Sequence, residues 1–422
     1  MQTIEKDTVA QVNWELNGSF VLAEDIRTKA QEILQTTAFP TTKNEAWKYT
    51  RVGKIKNGNF AIQQPESLSG IAYPKHENAL QYVFVNGHFC PELSATNTPD
   101  GIKIQALSSM DPVEVAVFGK QIPLENEVFN ALNTAYATDG LYVHVTAKFD
   151  IEPLIELIHI NTLSNTISNL RHLFIAEAFS KVNFVQHSLT QQGESNFTNV
   201  ITEVRVGKNA QLSIDKLQEE NESCFQIASE YVTQQTDSQF AINTLTLNGG
   251  LVRNNLSIAV EGTNCETHLN GAYVLDGNQL VDNHTVVDHI APHCQSNELY
   301  KGVINGKATA VFNGKVFVRK DAQKINAFQS NGNILLSEDA SINSKPELEI
   351  YADDVKCSHG STTGQLDETA LFYLRARGIS ETSAKQLLVG AFIGDVIEKI
   401  NNETVRERVH TLLHERFDWI IE

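Results

Sequence analysis

Apolar side chains recur at helical spacing in only a few stretches of this chain and alternate in short runs over most of it. In AEDIRTKAQEILQ, Ile26, Ala30, Ile33 and Leu34 share one helical face, and the pattern stops before Pro40. QYVFVNGHF alternates and then turns at Asn86-Gly87, a hairpin signal. ENEVFNALNTAY reads as a further helix, closed by Asp139-Gly140. Residues 1–140 therefore read as a mixed, mostly helical N-terminal region.

From residue 141 the period changes from helical to strand-like. YVHVTAKF, LIELIHI, KVNFVQHSL, AQLSIDKL, FAINTLTLNGG and GLVRNNLSIAVEG follow one another, and the series runs on to ELEIYADDVKCS. Turn markers punctuate it at Asn248-Gly249-Gly250, Asp276-Gly277, Asn305-Gly306, Asn313-Gly314 and Asn331-Gly332. A large sandwich or barrel would accommodate so many short strands, and so would a β-solenoid in which each coil buries its face on the next. The solenoid is the favoured reading for residues 141–366. Many strands end in polar turns rather than tight hairpins, and SEDASINSKPELEIYADD resembles rungs bending at corners.

Helical spacing returns over residues 367–422. LDETALFYLRARG has a cap at Asp367 and stops at Gly378, with Arg375 and Arg377 in the last turn, where cations suit the helix dipole. Ser380 caps a second helix with Ala384, Leu387, Leu388, Ala391 and Phe392 as its apolar stripe. A third helix carries Val405, Val409, Leu412, Leu413 and Ile420.

Composition narrows the function classes. The chain has 422 residues, long enough for two or three structural units, and 33 basic against 51 acidic side chains leave a net charge of −18. So acidic a surface repels phosphate backbones and anionic lipid, so neither nucleic acid nor a membrane is expected as a partner. MQTIEKDTVAQVNWELNG lacks the apolar segment of a secretory signal. The five cysteines (Cys90, Cys224, Cys265, Cys294 and Cys357) are odd in number, scattered and free of any C-x-x-C pair. A disulfide framework is not expected, and a reducing cytoplasm is.

Phosphate-binding, dinucleotide, nucleophile-elbow and zinc-protease motifs are all missing. Asp353 and Asp354 are adjacent, which in a strand would put them on opposite faces. Two clusters carry imidazole and thiol. HTVVDHIAPHCQS holds His284, His289, His293 and Cys294, but Pro292 breaks any helical geometry, and turn histidines are commonly polar surface. In YADDVKCSHGSTTGQLDE, Cys357 and His359 are two apart and share a face if the segment is a strand. Zinc and iron–sulfur centres want about four protein ligands, so this pair is half a site. Spacing alone equally allows a small buried thiol and a hydrogen-bonded imidazole closing the last coil.

These motifs resemble a known family. YADDVKCSHGSTTGQLDETALFYLRARGI is similar to the C-terminal signature of the SufB/SufD family of iron–sulfur cluster assembly proteins, and FPTTKNEAWKYT resembles the N-terminal motif of its SufD branch. The long stretches from GLVRNNLSIAVEG to NGKVFV and from QKINAFQ to PELEI resemble the family core, so the likeness covers nearly the whole chain. It implies a right-handed parallel β-helix flanked by helical N- and C-terminal regions, and a non-enzymatic scaffold role. The implied partners are SufB, met through the β-helix, and the ATPase SufC, met through the C-terminal helices.

By position, His359 is implied as a ligand of a transient iron–sulfur cluster at the SufB interface, with Cys357 a weaker candidate beside it. Arg375, Arg377, Leu387, Leu388 and Phe392 fall in the implied ATPase-docking region. The family's sulfur-accepting thiols belong to SufB, so Cys294 is given no such role. No cofactor is expected to bind the isolated chain tightly. Reduced flavin is associated with the assembled complex, without a motif for it here. Two readings compete: a β-helix polysaccharide-active enzyme, which would need clustered acids along an exposed strand face, and a self-pairing homodimer formed through a solenoid end or edge.

Overall fold

Parallel strands stacked in register build most of this molecule. The structure, a computed structural model, describes residues 8–417 except 77, 121 and 401. The N-terminal part contains α1 (Glu24–Thr36), α2 (Gly53–Lys56), β1 (Ala79–Val85), β2 (His88–Phe89), β3 (Ile102–Ala106), α3 (Pro112–Val115) and α4 (Val128–Tyr136). The strands that follow are β4 (Leu141–Val145), β5 (Leu154–Asn161), β6 (Ile167–Ala176), β7 (Lys181–Thr190), β8 (Phe197–Val206) and β9 (Gln211–Glu219). The chain continues through β10 (Phe225–Gln234), β11 (Gln239–Thr246), β12 (Leu251–Val260), β13 (Glu266–Leu275) and β14 (Leu280–His289). Last come β15 (Gln295–Ile304), β16 (Thr309–Val318), β17 (Ile325–Leu335), β18 (Ser341–Ile350) and β19 (Val355–Gly364). Three helices finish the chain: α5 (Glu368–Ala376), α6 (Glu381–Ile397) and α7 (Glu403–Phe417).

One sheet runs β19-β17-β15-β13-β11-β9-β7-β5-β1-β2 and the other β18-β16-β14-β12-β10-β8-β6-β4-β3. Successive strands alternate between sheets, so each coil lends one strand to each, and the product is a β-solenoid of about eight turns. Corners recur because one backbone state recurs. Phe179, Asn209, Asp237, Asn264, His293 and Lys324 each take a left-handed φ, from 55° to 63°, just before β7, β9, β11, β13, β15 and β17. Asn and Asp tolerate that region better than most residues, which fits three of the six positions.

An apolar core runs between the sheets along the whole solenoid. Phe174 and Phe184 face each other across it with ring centroids 4.1 Å apart, among Val143, Val182, Ile214, Leu269 and Val281. Each such fully buried side chain contributes roughly 1.5–3 kcal/mol. Polar side chains share the interior along its length: His159 Nε2 and His172 Nε2 lie 3.1 Å apart, and Lys216 Nζ donates to Glu230 Oε1 at 2.6 Å. The Tyr273 hydroxyl donates to Asn333 Oδ1 at 2.6 Å and accepts from Asn331 Nδ2 at 3.1 Å, so the interior groups there satisfy one another.

Helices cover the outer faces. Val128, Phe129, Leu132 and Ala135 of α4 pack on Ile167, Phe197, Phe225 and Leu251. The FPTTKNEAWKYT segment is pinned to the same sheet. Trp47 lies 3.7 Å under the Arg253 guanidinium, Arg253 Nη1 donates to Asp282 Oδ2 at 2.5 Å, and Thr50 donates its hydroxyl to the same oxygen. On the other sheet, Val389, Ile393, Val396 and Ile397 of α6 meet Leu217, Leu245, Val274 and Val303, together with Val405, Val409 and Leu413 of α7.

Several sequence expectations are corrected here. Residues 1–140 are less helical than their pattern suggested: α2 and α3 are only four residues each, while β1 and β3 join the solenoid sheets. On α6 the buried face runs through Ala384, Val389, Gly390, Ile393, Val396 and Ile397, leaving Leu387 and Ala391 exposed. This helix is apolar nearly all round, so spacing does not choose its face; the apolar outer wall of the sheet does. Asp353 and Asp354 lie in the bend before β19, with Asp354 paired to Lys324. Ile420 lies outside the described residues. Among those described, no helix is long and apolar enough to cross a membrane.

Burial charges one position with a pH signature. Glu220 accepts from Asn161 Nδ2 and Thr198 Oγ1, both at 2.6 Å, while its second oxygen has no partner, and burial pushes its carboxyl up to about 7. The native state therefore holds a proton that the unfolded chain sheds from about pH 4.5, and stability falls as pH rises from there through 7. At 1.36 kcal/mol per unit the cost reaches about 3 kcal/mol at pH 8. Glu220→Gln should melt several degrees above the wild type at pH 8 and lose that advantage at pH 4.5, as measured by thermal denaturation at the two pH values.

Candidate functional site

A solenoid must end somewhere, and at its last coil the ladder stops. β19 pairs with β17 through Ala327↔Cys357, Gln329↔His359 and Asn331↔Ser361, and among the described residues its other edge carries no strand. β18 closes the opposite sheet in the same way. Such an edge presents a row of free N–H and C=O groups, a template for a strand from another chain.

The register decides which side chains face inward. In β17 the inward positions Ala327, Gln329, Asn331 and Asn333 are all buried, and directly above them in β19 stand Cys357, His359, Ser361 and Thr363. Cys357 is half-buried against the core together with Val355, and burial raises its thiol. His359 is exposed although it occupies an inward register position, because no further coil lies over it. The pair therefore shares one face, as the spacing of two predicted. Ser361 Oγ meets Ser344 Oγ of β18 at 2.7 Å, so the two terminal strands touch across the mouth.

Beneath the mouth the column continues as Gln329 and Glu298. Gln329 Nε2 donates to Glu298 Oε2 at 2.6 Å, and the other Glu298 oxygen accepts from Thr285 Oγ1 at 2.5 Å. Burial raises the Glu298 carboxyl to about 7. Sequence reading missed this polar column, since its members are contiguous only through the coil register. The signal was present as Gln and Asn at inward positions of INAFQSNGNIL, where an ordinary solenoid core would be apolar.

The histidine-rich stretch does not gather into a site. His284 Nε2 lies 2.9 Å from Asp282 Oδ1, His289 is buried against Ser296 Oγ at 2.9 Å, and His293 is exposed at a corner. Cys294 is buried. Among the described residues no group of three or more His, Cys, Asp or Glu side chains is arranged to hold a metal ion.

The C-terminal helices provide a second outward surface. Asp367 caps α5 by accepting from Thr369 N and Ala370 N, and Ser380 caps α6 by accepting from Ser383 N. α5 buries none of its residues, and Phe372 and Tyr373 are 74% and 56% exposed. Of the residues assigned to this region from sequence, Arg375 pairs with Glu381 at 3.3 Å, Arg377 lies over Tyr373 at 4.9 Å and Leu387 is exposed. Leu388 is half-buried. Phe392 is turned towards the solenoid, with Lys301 Nζ 4.8 Å above its ring and 2.8 Å from its carbonyl.

Fold and site together define a two-sheet β-solenoid with helical flanks and an uncapped C-terminal rung. Residues 158–392 match the family model described as the SUF system FeS cluster assembly SufBD core domain, and residues 15–157 match the SufBD protein N-terminal region. The chain belongs to the SufBD family of the SUF iron–sulfur cluster assembly system. It is 32% identical to an iron–sulfur cluster assembly SufBD family protein of Synechocystis over 91% of this chain and 88% of that one. Identity is 30% with the iron–sulfur cluster assembly protein SufD of Escherichia coli, over 92% of both chains, and 23% with that of Bacillus subtilis, over 93% of both.

Two substitutions separate the surfaces. Phe372→Ser should leave the melting temperature of the isolated chain within about 1 °C of wild type, because surface changes stay within about 0.5 kcal/mol. Ile393→Ala empties the contact between α6 and the sheet and should cost about 2–4 kcal/mol in denaturant unfolding.

Proposed function

We propose that this chain is a non-enzymatic scaffold subunit of the SUF assembly complex. In this reading the open rung pairs with SufB by strand addition along the free edges of β18 and β19, and isolated copies pair with each other through the same edges. His359, with Cys357 beside it, supplies half of the coordination of a nascent iron–sulfur cluster, and SufB supplies the rest. The cluster is cargo, held only while both subunits enclose it. SufC docks on α5 and the outward side of α6, around Phe372, Tyr373, Leu387 and the flanking Arg375 and Arg377. Family membership makes the cytoplasm the natural compartment.

The observation that carries this reading is His359: an imidazole in an inward register position, left exposed only because the solenoid stops one coil too early to cover it. A neutral imidazole and a thiolate suit iron, and two ligands fall short of the four that such clusters take. The acidic surface repels nucleic acid, consistent with a role played through protein contacts.

The test is co-expression with SufB and SufC followed by anaerobic reconstitution. His359→Ala should assemble in the same stoichiometry yet lose most of its iron and its cluster absorbance. Unchanged iron in the variant complex refutes the ligand role. For the second surface, point changes serve better than truncation, because α6 covers part of the solenoid wall. Phe372→Asp combined with Leu387→Asp should weaken SufC capture at least tenfold in a pull-down titration while SufB pairing persists.

A further inference from the structure

Two buried thiols outside the open rung share a corner of the solenoid. At that corner five successive coils repeat a left-handed residue followed by a small buried one, Phe179-Ser180, Asn209-Ala210, Asp237-Ser238, Asn264-Cys265 and His293-Cys294, before Lys324 is followed by the larger Ile325. The side chain after the bend turns inward against the coil below. Ser238 Oγ indeed lies 3.6 Å from Cys265 Sγ in the next coil. This corner column holds two cysteines in succession, at Cys265 and Cys294.

Their geometry is close to that of a covalent pair. The residues that follow them, Glu266 and Gln295, are register partners, and Gln295 N donates to Cys265 O at 2.9 Å. Neighbouring strands lie ~4.8 Å apart, inside the Cα span of about 4.4–6.8 Å that a disulfide bridges. Cys265 N donates to Cys294 Sγ at 3.4 Å, and both sulfurs lie against one carbonyl, Gly262 O, at 3.2 and 3.3 Å. The two sulfurs thus converge on a single point. A hydrogen bond from Cys294 favours the Cys265 thiolate, bringing that thiol down to about 7, and the same bond pushes Cys294 up. Thr263, Asn264 and His293, which wrap the corner, are exposed, so one layer of chain separates the pair from solvent.

We propose that Cys265 and Cys294 form a peroxide-driven disulfide that staples two consecutive coils together. The Cys265 thiolate attacks hydrogen peroxide, the O–O bond breaks, and a sulfenic acid and hydroxide result, the hydroxide becoming water with the proton that Cys265 released on ionising. Cys294 sulfur then attacks that sulfenic sulfur; the S–S bond forms, the S–O bond breaks, and the hydroxide leaves as water with the Cys294 proton. The net change is two thiols and one peroxide giving one disulfide and two waters. A neutral disulfide suits this corner, where the carbonyls of Gly262, Gln235 and Pro292 face the sulfurs and would repel a lasting thiolate. The bridge closes a loop of about 30 residues, which restricts the unfolded chain.

The experiment uses the full-length chain, reduced, exposed to hydrogen peroxide, then unfolded and alkylated. The expected result is an intact mass lower by about two hydrogens, two fewer alkylated thiols, and a linked peptide pair containing Cys265 and Cys294 that dithiothreitol separates. The apparent melting temperature should rise by several degrees and fall back on reduction. Cys265→Ser and Cys294→Ser place at each position a residue that the same column already accepts at Ser180 and Ser238, and each should abolish both the link and the rise. The proposal is overturned if both thiols remain alkylable after peroxide, if either gains oxygen without a link, or if either links to Cys90, Cys224 or Cys357 instead. The peptide map of the wild type decides among these even if a serine variant folds poorly.

Discussion

Every coil of this protein depends on the one before it for its backbone hydrogen bonds. The parallel in-register ladder satisfies N–H and C=O groups between coils rather than within them, so no coil is complete alone. At the N-terminal end the debt is settled by antiparallel partners: β2 pairs with β1, and β3 pairs with β4. At the C-terminal end no strand among the described residues settles it for β18 and β19. The exposed imidazole of His359, the half-buried thiol of Cys357 and the unpaired edges are therefore one fact seen three times.

The outer walls follow from the same geometry. A sheet whose inner face fills the lumen has an outer face that must be either polar or covered. The chain covers one sheet with α4 and the Trp47 segment and the other with α6 and α7. The C-terminal helices nevertheless bury only part of their surface, because α6 spends one side on Val274 and Val303 and α5 lies clear of the wall. The open rung and this helical pair both lie in the last third of the chain.

Much of the fold could be read from the sequence. The period change near residue 141, the Asn86-Gly87 turn and the caps at Asp367 and Ser380 all depend on local chemistry, and local chemistry is what a linear pattern records. The shared face of Cys357 and His359 followed from strand period alone. What could not be read was anything set by the coil register. The Gln329–Glu298 column, the corner thiols and the Arg253–Asp282 pair each join residues about 30 positions apart, and no strict repeat advertises that spacing. The face of α6 was misjudged for a related reason: an all-round apolar helix takes its orientation from the surface that receives it. The exposure of His359 needed the end of the ladder to be located, which strand patterns approximate but do not fix.

The pin formed by Trp47 and Thr50 on Arg253 and Asp282 has a bearing on biosynthesis. The first fifty residues leave the ribosome long before the strands that receive them exist, since Arg253 Nη1 also binds the carbonyl of Ala46, 207 positions upstream. Meanwhile Trp47, and Trp14 with the Phe39 and Phe60 rings it meets, have no permanent wall to rest on. The nascent chain thus carries an undocked aromatic segment through most of translation, and it is over that interval that chaperone shelter would matter most.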